Sequence, residues 1–272
     1  MASKDTFLVP IPPQQLGEIQ NWDLIPAHLA YRIGRGPHLF RSGGALPPHG
    51  GVMVLDSRGF DGIGPTDPFC QEVVRECLAR SFFGAVLDFE ARLPPLEQIA
   101  ARLDESFFRR GWSLYVPERC GHCAPHARVM ISSALSGGSL SLRLEEALER
   151  FGRDRVALAL EPVSEDFFLP SPTGSGTPLS REDLDRLLDR LRPSVFFSRE
   201  LCARYFTYTT PDGGAHFVLF DDGDTLRRKV EVARGLGICA FLLPWAHLRE
   251  HARALGFSRP APPSRLPARE RR

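Results

Sequence analysis

The nine residues FFGAVLDFE, 82 to 90, close an apolar run with two carboxylates, Asp88 and Glu90, spaced i, i+2. Side chains alternate along a strand, so Val86, Asp88 and Glu90 share one face while Ala85, Leu87 and Phe89 share the other. Two acids this close in a confined space do not both ionise easily, and one of them keeps a proton that it can donate. Val86 adds desolvation that acts in the same direction. A carboxylic acid beside a carboxylate is the equipment of general acid catalysis, which makes Asp88 and Glu90 the candidate catalytic pair.

Other residues of catalytic or ligating type fit plainer roles. CGHCAPH, 120 to 126, puts Cys120, His122, Cys123 and His126 within seven residues, but the long spacer of a structural zinc site is absent, and a loop rich in Cys and His is the reading preferred. The C-x-x-C also lacks the helix start of a thioredoxin-like redox motif. No metal and no cofactor are expected: the glycines do not form a dinucleotide fingerprint. DDGD, 221 to 224, precedes a helix, where acids cap the N-terminus and favour its dipole. The two lysines, Lys4 and Lys229, lie at no strand end, which disfavours a Schiff-base lyase built around Glu118 or Glu161.

The elements that must hold these residues follow from periodicity. GGVMVLD, FGAVLDFE, WSLYVPE, RVMISSAL, RVALALEP and ICAFLLPW read as strands. Between them, DPFCQEVVRECLARS, PLEQIAARLDESFFRRG, LSLRLEEALERFG, SREDLDRLLDRL and DDGDTLRRKVEVARGLG carry helical spacing, with Ser180 as N-cap of the fourth and Asp183 at its capping-box position. Alternating strands and helices predict a parallel sheet, and 272 residues suffice for one (β/α)8 TIM barrel. Asp56, Glu90, Glu118 and Glu161 each fall at the C-terminal end of a predicted strand, and in such a barrel those ends converge on one rim. Residues 1–50 are rich in proline and glycine, with HLAYRI and PHLFRS as possible strands, so the first two units are expected to be irregular or incomplete. RYFTYTTPDGGAHFVLF predicts a hairpin near 205–220. Residues 51–256 form the rest of the barrel, and residues 257–272, basic and proline-rich, are expected to be a disordered tail.

Composition excludes several classes. With 34 basic against 33 acidic residues there is no field to attract nucleic acid or an anionic membrane. The N-terminus lacks a signal-peptide core, and no run is long enough to span a bilayer. The expectation is a cytoplasmic protein, or one deposited on a structure assembled inside the cell, with no membrane insertion; oligomeric state is open. The six cysteines are too scattered for a disulfide scaffold and are read as mostly reduced thiols.

FFGAVLDFE resembles the strand-4 signature D-x-x-D-x-D-x-E of the glycoside hydrolase family 18 barrels, with the last two acids on Asp88 and Glu90. RYFTYTTPDGGAHFVLFDDGDTLRRKVEVARGLGICAFLLPW is similar to the stretch leading into the last strand of the bacterial spore cortex and cell-wall N-acetylglucosaminidases of that family, through Tyr208, His216, Phe220, Asp221, Asp222, Gly237 and Trp245. The resemblance covers residues 50 to 250. It implies an enzyme, a chitinase-like hydrolase of carbohydrate metabolism and sporulation, acting on N-acetylglucosamine-containing polymers, peptidoglycan or spore cortex before chitin. The implied mechanism is substrate-assisted hydrolysis with retention, the family's exception to the two-carboxylate scheme. Glu90 would protonate the glycosidic oxygen. Asp88 would hold the 2-acetamido N–H and stabilise the oxazolinium ion. Trp245 would be the floor for the sugar ring, with Tyr115, Tyr208, Asp56, Glu118 and Glu161 as further glycan contacts. The sequence departs from the family pattern where its first two aspartates fall on Phe83 and Val86, and where the strand-6 M-x-Y-D aligns with MISSAL, which offers Ser132 and Ser133 and neither Tyr nor Asp. The alternative is a catalytically impaired barrel that binds a glycan or a protein partner through the same rim.

Overall fold

The computed structural model describes residues 5–20, 22–42, 49–170 and 174–257. In chain order the first half runs β1 (Thr6–Ile11), β2 (Ile25–Gly34), β3 (His38–Arg41), β4 (Val52–Asp56), α1 (Thr66–Arg80), β5 (Gly84–Asp88), α2 (Pro94–Phe108), β6 (Ser113–Pro117), β7 (Arg128–Ser132), α3 (Leu140–Phe151) and β8 (Val156–Ala159). It continues with β9 (Ser164–Leu169), β10 (Thr177–Pro178), α4 (Arg181–Leu191), β11 (Phe196–Ser198), β12 (Ala203–Thr209), β13 (Ala215–Phe220), α5 (Gly223–Gly235), β14 (Ala240–Leu242) and α6 (Trp245–His251).

Strands β1, β2, β4, β5, β6, β7, β8 and β14 are parallel neighbours, and β1 pairs with both β14 and β2, which closes the barrel. Its interior is filled by small and branched side chains, among them Leu8, Ala27, Val54, Val86, Ala157 and Ala240. The outward residues of the same strands, such as Leu55, Leu87 and Ile131, pack under the helices with Phe69, Leu103 and Leu144. Full burial of each such side chain contributes about 1.5–3 kcal/mol. Helix α1 turns Phe69, Cys70, Val73, Val74 and Cys77 inward and ends at Ser81 in the left-handed conformation. Helix α2 starts at Pro94, as a first-turn proline favours, and buries Leu96, Ile99, Ala100, Leu103 and Phe107. Gly84 is required at the start of β5: a Cβ there would stand 2.4 Å from the Ser113 carbonyl oxygen of β6.

The irregular first units have a chemical cause. A 3-10 turn, Pro13–Ile19, joins β1 to β2, and the antiparallel β3 stands where a helix would join β2 to β4. Prolines and glycines crowd this region and withhold backbone donors or favour turns. The β6–β7 connection also lacks an α-helix and runs through a 3-10 turn, Glu118–Cys120, and CGHCAPH instead.

The expected hairpin exists as β12 and β13, but it belongs to a larger insertion between β8 and α5. Five antiparallel strands, in the order β10-β9-β13-β12-β11, form a sheet covered on one face by α4. Ser180 caps α4 by accepting from the Asp183 N–H at 3.1 Å. Asp222 and Thr225 form a reciprocal capping box at the start of α5, which accounts for DDGD. The insertion is fastened to the barrel by a fully buried ion pair, Lys229 Nζ to Asp221 at 2.6 Å, with Lys229 also donating to the Ser133 carbonyl at 3.1 Å. Phe257, the first residue of the predicted tail, packs edge-on against Phe7; the remainder of that tail lies outside the described residues. Among the described residues no helix is long and apolar enough to cross a membrane.

Candidate active site at the barrel mouth

The inward alternation that packs Val54 and Val86 inside the barrel carries Asp56 and Asp88 to its C-terminal rim, where they are in-register neighbours on β4 and β5. A cavity of about 470 Å³ opens there, lined by Val86, Asp88, Met130, Ser132, Glu118 and Glu161 with apolar neighbours such as Leu29 and Leu242. Asp88 is half-buried, and its carboxyl has no hydrogen-bond partner among the described residues. Burial, then the charges of Asp56 and Glu90, push it above the usual carboxylate range, against the opposing pull of Arg58. Asp56 behaves in the opposite way. Burial raises its carboxyl, but Arg58 outweighs burial with a backbone N–H and an Nε bond, both 2.7 Å, and holds Asp56 below that range. The rim therefore carries one carboxylate that an arginine holds in its charged form beside one whose proton is bound more tightly than usual.

Glu90 lies two residues beyond Asp88, past the end of β5, exposed and outside the cavity wall. It is close enough for its charge to raise Asp88. Its main chain is held by Arg119, whose guanidinium donates to the carbonyl of Glu90 at 3.0 Å and to that of Phe89. Glu161 lines the opposite wall and accepts from the Ser132 hydroxyl. The Ser133 hydroxyl accepts from the Glu161 N–H at 3.1 Å, which fixes the end of β8 against β7.

Four of the expected contacts stand elsewhere or are engaged. Trp245 is 3% exposed in α6, meets Trp22 edge-on at 5.6 Å and donates its indole N–H to Glu18 at 2.9 Å, so no face is open to a sugar ring; Pro244 is the neighbour that reaches the cavity. Tyr115 is buried deeper in the barrel, with its hydroxyl accepting from Arg128 at 3.0 Å. Tyr208 is on the inserted sheet, where it donates to Asp166 at 2.7 Å and stacks on His216. Glu118 touches the cavity, but Arg143 and Arg150 of α3 hold its carboxylate. Arg58 and Arg119 were not anticipated. Arg58 had a local signal, since Asp-Ser-Arg is the spacing of an Asp side chain that accepts from the backbone two residues on.

CGHCAPH holds no metal-type cluster, and among the described residues no group of three or more His, Cys, Asp or Glu is placed to hold an ion. Cys120 is buried, Cys123 donates to the Cys120 carbonyl at 3.2 Å, and His126 pairs with Asp104 at 2.8 Å.

No family model and no curated protein matches this sequence. Solved structures do match in three dimensions. The spore cortex-lytic enzyme SleL of Bacillus cereus superposes with a TM-score of 0.66 at 13% identity, over 95% of this chain and 75% of that one. A chitinase from Chromobacterium violaceum gives 0.66 at 16% identity, over 93% and 98%. A glycoside hydrolase family 18 N-acetylglucosaminidase from Paenibacillus barengoltzii gives 0.63 at 13% identity, over 93% and 99%. At such identities the likeness is one of architecture, and in architecture this chain is a (β/α)8 barrel of the kind found in those chitinase-like hydrolases.

Proposed function

We propose that the protein is a glycoside hydrolase that cleaves N-acetylglucosamine-containing polymers, with peptidoglycan or spore cortex as substrate before chitin. The observation that carries the reading is Asp88 in the wall of the rim cavity with Glu90 two residues on, close enough for its charge to act on Asp88. In this scheme Glu90 gives its proton to the glycosidic oxygen. Asp88 orients the 2-acetamido N–H, and the acetamido oxygen attacks the anomeric carbon with retention. Asp56 supplies, from the neighbouring strand, the negative charge that Val86 does not supply from beneath. The similarity in fold to a cortex-lytic enzyme and an N-acetylglucosaminidase supports the substrate class.

One observation favours a second reading, a barrel that binds such glycans without turning them over: neither Trp245 nor Tyr115, the two aromatics expected to touch the sugar there, lines the cavity. Reducing ends released from N-acetylglucosamine oligomers and solubilised cortex peptidoglycan, measured for the wild type and for Glu90→Gln, separate the two. Activity that disappears in Glu90→Gln supports the hydrolase. Sugar binding with equal inactivity of both proteins supports the binding barrel.

A further inference from the structure

The loop that stands in place of an α-helix between β6 and β7 is built as a rigid bracket, and a side chain at its start, Arg119, holds the main chain of Phe89 and Glu90. Arg155 donates to the carbonyls of Gly121, Ala124 and Ala127 at 2.7–2.9 Å, drawing three points of the loop together. Asp104 of α2 accepts from both the backbone N–H and the ring of His126. Cys120, Ala124 and Ala127 are buried. Gly121 has no room for a side chain: a Cβ would lie 2.6 Å from Phe151 and 2.9 Å from Val129. Cys120, Cys123 and His126 thus have packing or hydrogen-bonding tasks, while His122 is exposed, 3.8 Å from Glu97.

The bracket fixes Arg119, and Arg119 supplies what β5 lacks at its tip. The β5–β6 ladder ends at the pair Val86 and Tyr115, so Phe89 and Glu90 run on without a partner strand on that side. The planar guanidinium takes both of their carbonyls at once, as a point-charge ammonium would not. We propose that Arg119 is the positioning residue for Glu90, and that CGHCAPH is the frame that holds Arg119 in place.

Its catalytic consequence rests on the hydrolase reading above; its structural consequence does not. In the full-length protein, Arg119→Ala is expected to lower kcat on N-acetylglucosamine oligomers by about 100-fold, the cost of misplacing a reacting group by an ångström, with KM unchanged. Low-millimolar guanidinium should restore part of the loss. Arg119→Lys, which keeps the charge and the stem, should recover little, and it replaces the alanine variant if that one melts early. Amide hydrogen exchange over residues 89–92 should speed up by about tenfold while that of β5 stays as in the wild type. Unchanged exchange overturns the bracket whether or not the protein is active. Faster exchange with unchanged kcat, or a loss confined to KM, overturns the positioning of Glu90. Inactivity of the wild type itself strikes the hydrolase reading and leaves the exchange arm to decide the bracket.

Discussion

Asp56 and Asp88 stand side by side in register on neighbouring strands, and Arg58 grips only the first. The Asp88 carboxyl is left crowded, half-buried and without a hydrogen-bond donor among the described residues. A raised carboxyl binds its proton more tightly in the folded than in the unfolded chain. The folded state is therefore penalised as pH rises from the ordinary carboxylate value through the raised one. Asp88→Asn removes that penalty. The variant should melt above the wild type at pH 7, and the difference should vanish at about pH 3, below the ordinary carboxylate value, where both states are protonated. An equal difference at both pH values in thermal melts would contradict the raised Asp88.

Activity should report the same pair from the other side. In the hydrolase scheme proposed above, Asp88 must ionise to stabilise the positive charge that develops beside it, so its titration would set the acid limb of kcat/KM. Asp56→Asn deletes a repelling charge and should move that limb to lower pH. Arg58→Ala deletes an attracting charge, frees Asp56 as well, and should move it to higher pH. Opposite displacements are the signature; shifts of the same sign, or none, would assign the limb to another group.

The barrel itself was legible because its central strands are short apolar runs ending in acids, separated by helices with clear spacing, and because Asp222 and Ser180 cap as their local sequence says. Strand β9 was not legible: SEDFFL has no clean alternation, and its partner β13 lies across α4 and β12 in the chain. Of the four acids expected at strand ends, Asp56 closes β4, whereas Glu118, Glu90 and Glu161 lie one or two residues past β6, β5 and β8. What each carboxylate meets was not legible, since the arginines that hold Glu118 come from α3, remote in sequence. Trp245 shows the same limit. A Trp at a strand end looks like a platform, yet its two neighbours Trp22 and Glu18 belong to the irregular first unit and draw the indole into the wall.

Lys229 is fully buried against Asp221, which also accepts from the Val163 N–H at 2.8 Å where the insertion leaves the barrel. Removing one partner of a buried pair leaves the other charge uncompensated, at a typical cost of about 3–5 kcal/mol. Lys229→Met should lose stability on that scale in urea unfolding. Lys229→Met combined with Asp221→Asn should be less destabilised than the sum of the two single changes, because the orphaned charge is gone. Strict additivity would mean that the pair does not fasten the insertion.

Trp245 supplies a test that separates packing from substrate contact. Its indole is closed off by Trp22 and tied to Glu18, so Trp245→Phe should lose one hydrogen bond to a charged group, about 1.5–3 kcal/mol, together with part of the Trp22 contact. Because the ring is 3% exposed and stands behind Pro244, KM for N-acetylglucosamine oligomers should stay within twofold of the wild-type value. A tenfold rise in KM with an unchanged melting temperature would restore Trp245 as the sugar floor, and would require α6 to swing away from Trp22 when a glycan enters the cavity. The contacts that oppose such a swing are the stacked core of Phe7 on Phe241 and the Phe257 ring set against it, both of which lie behind the same helix in the main hydrophobic core.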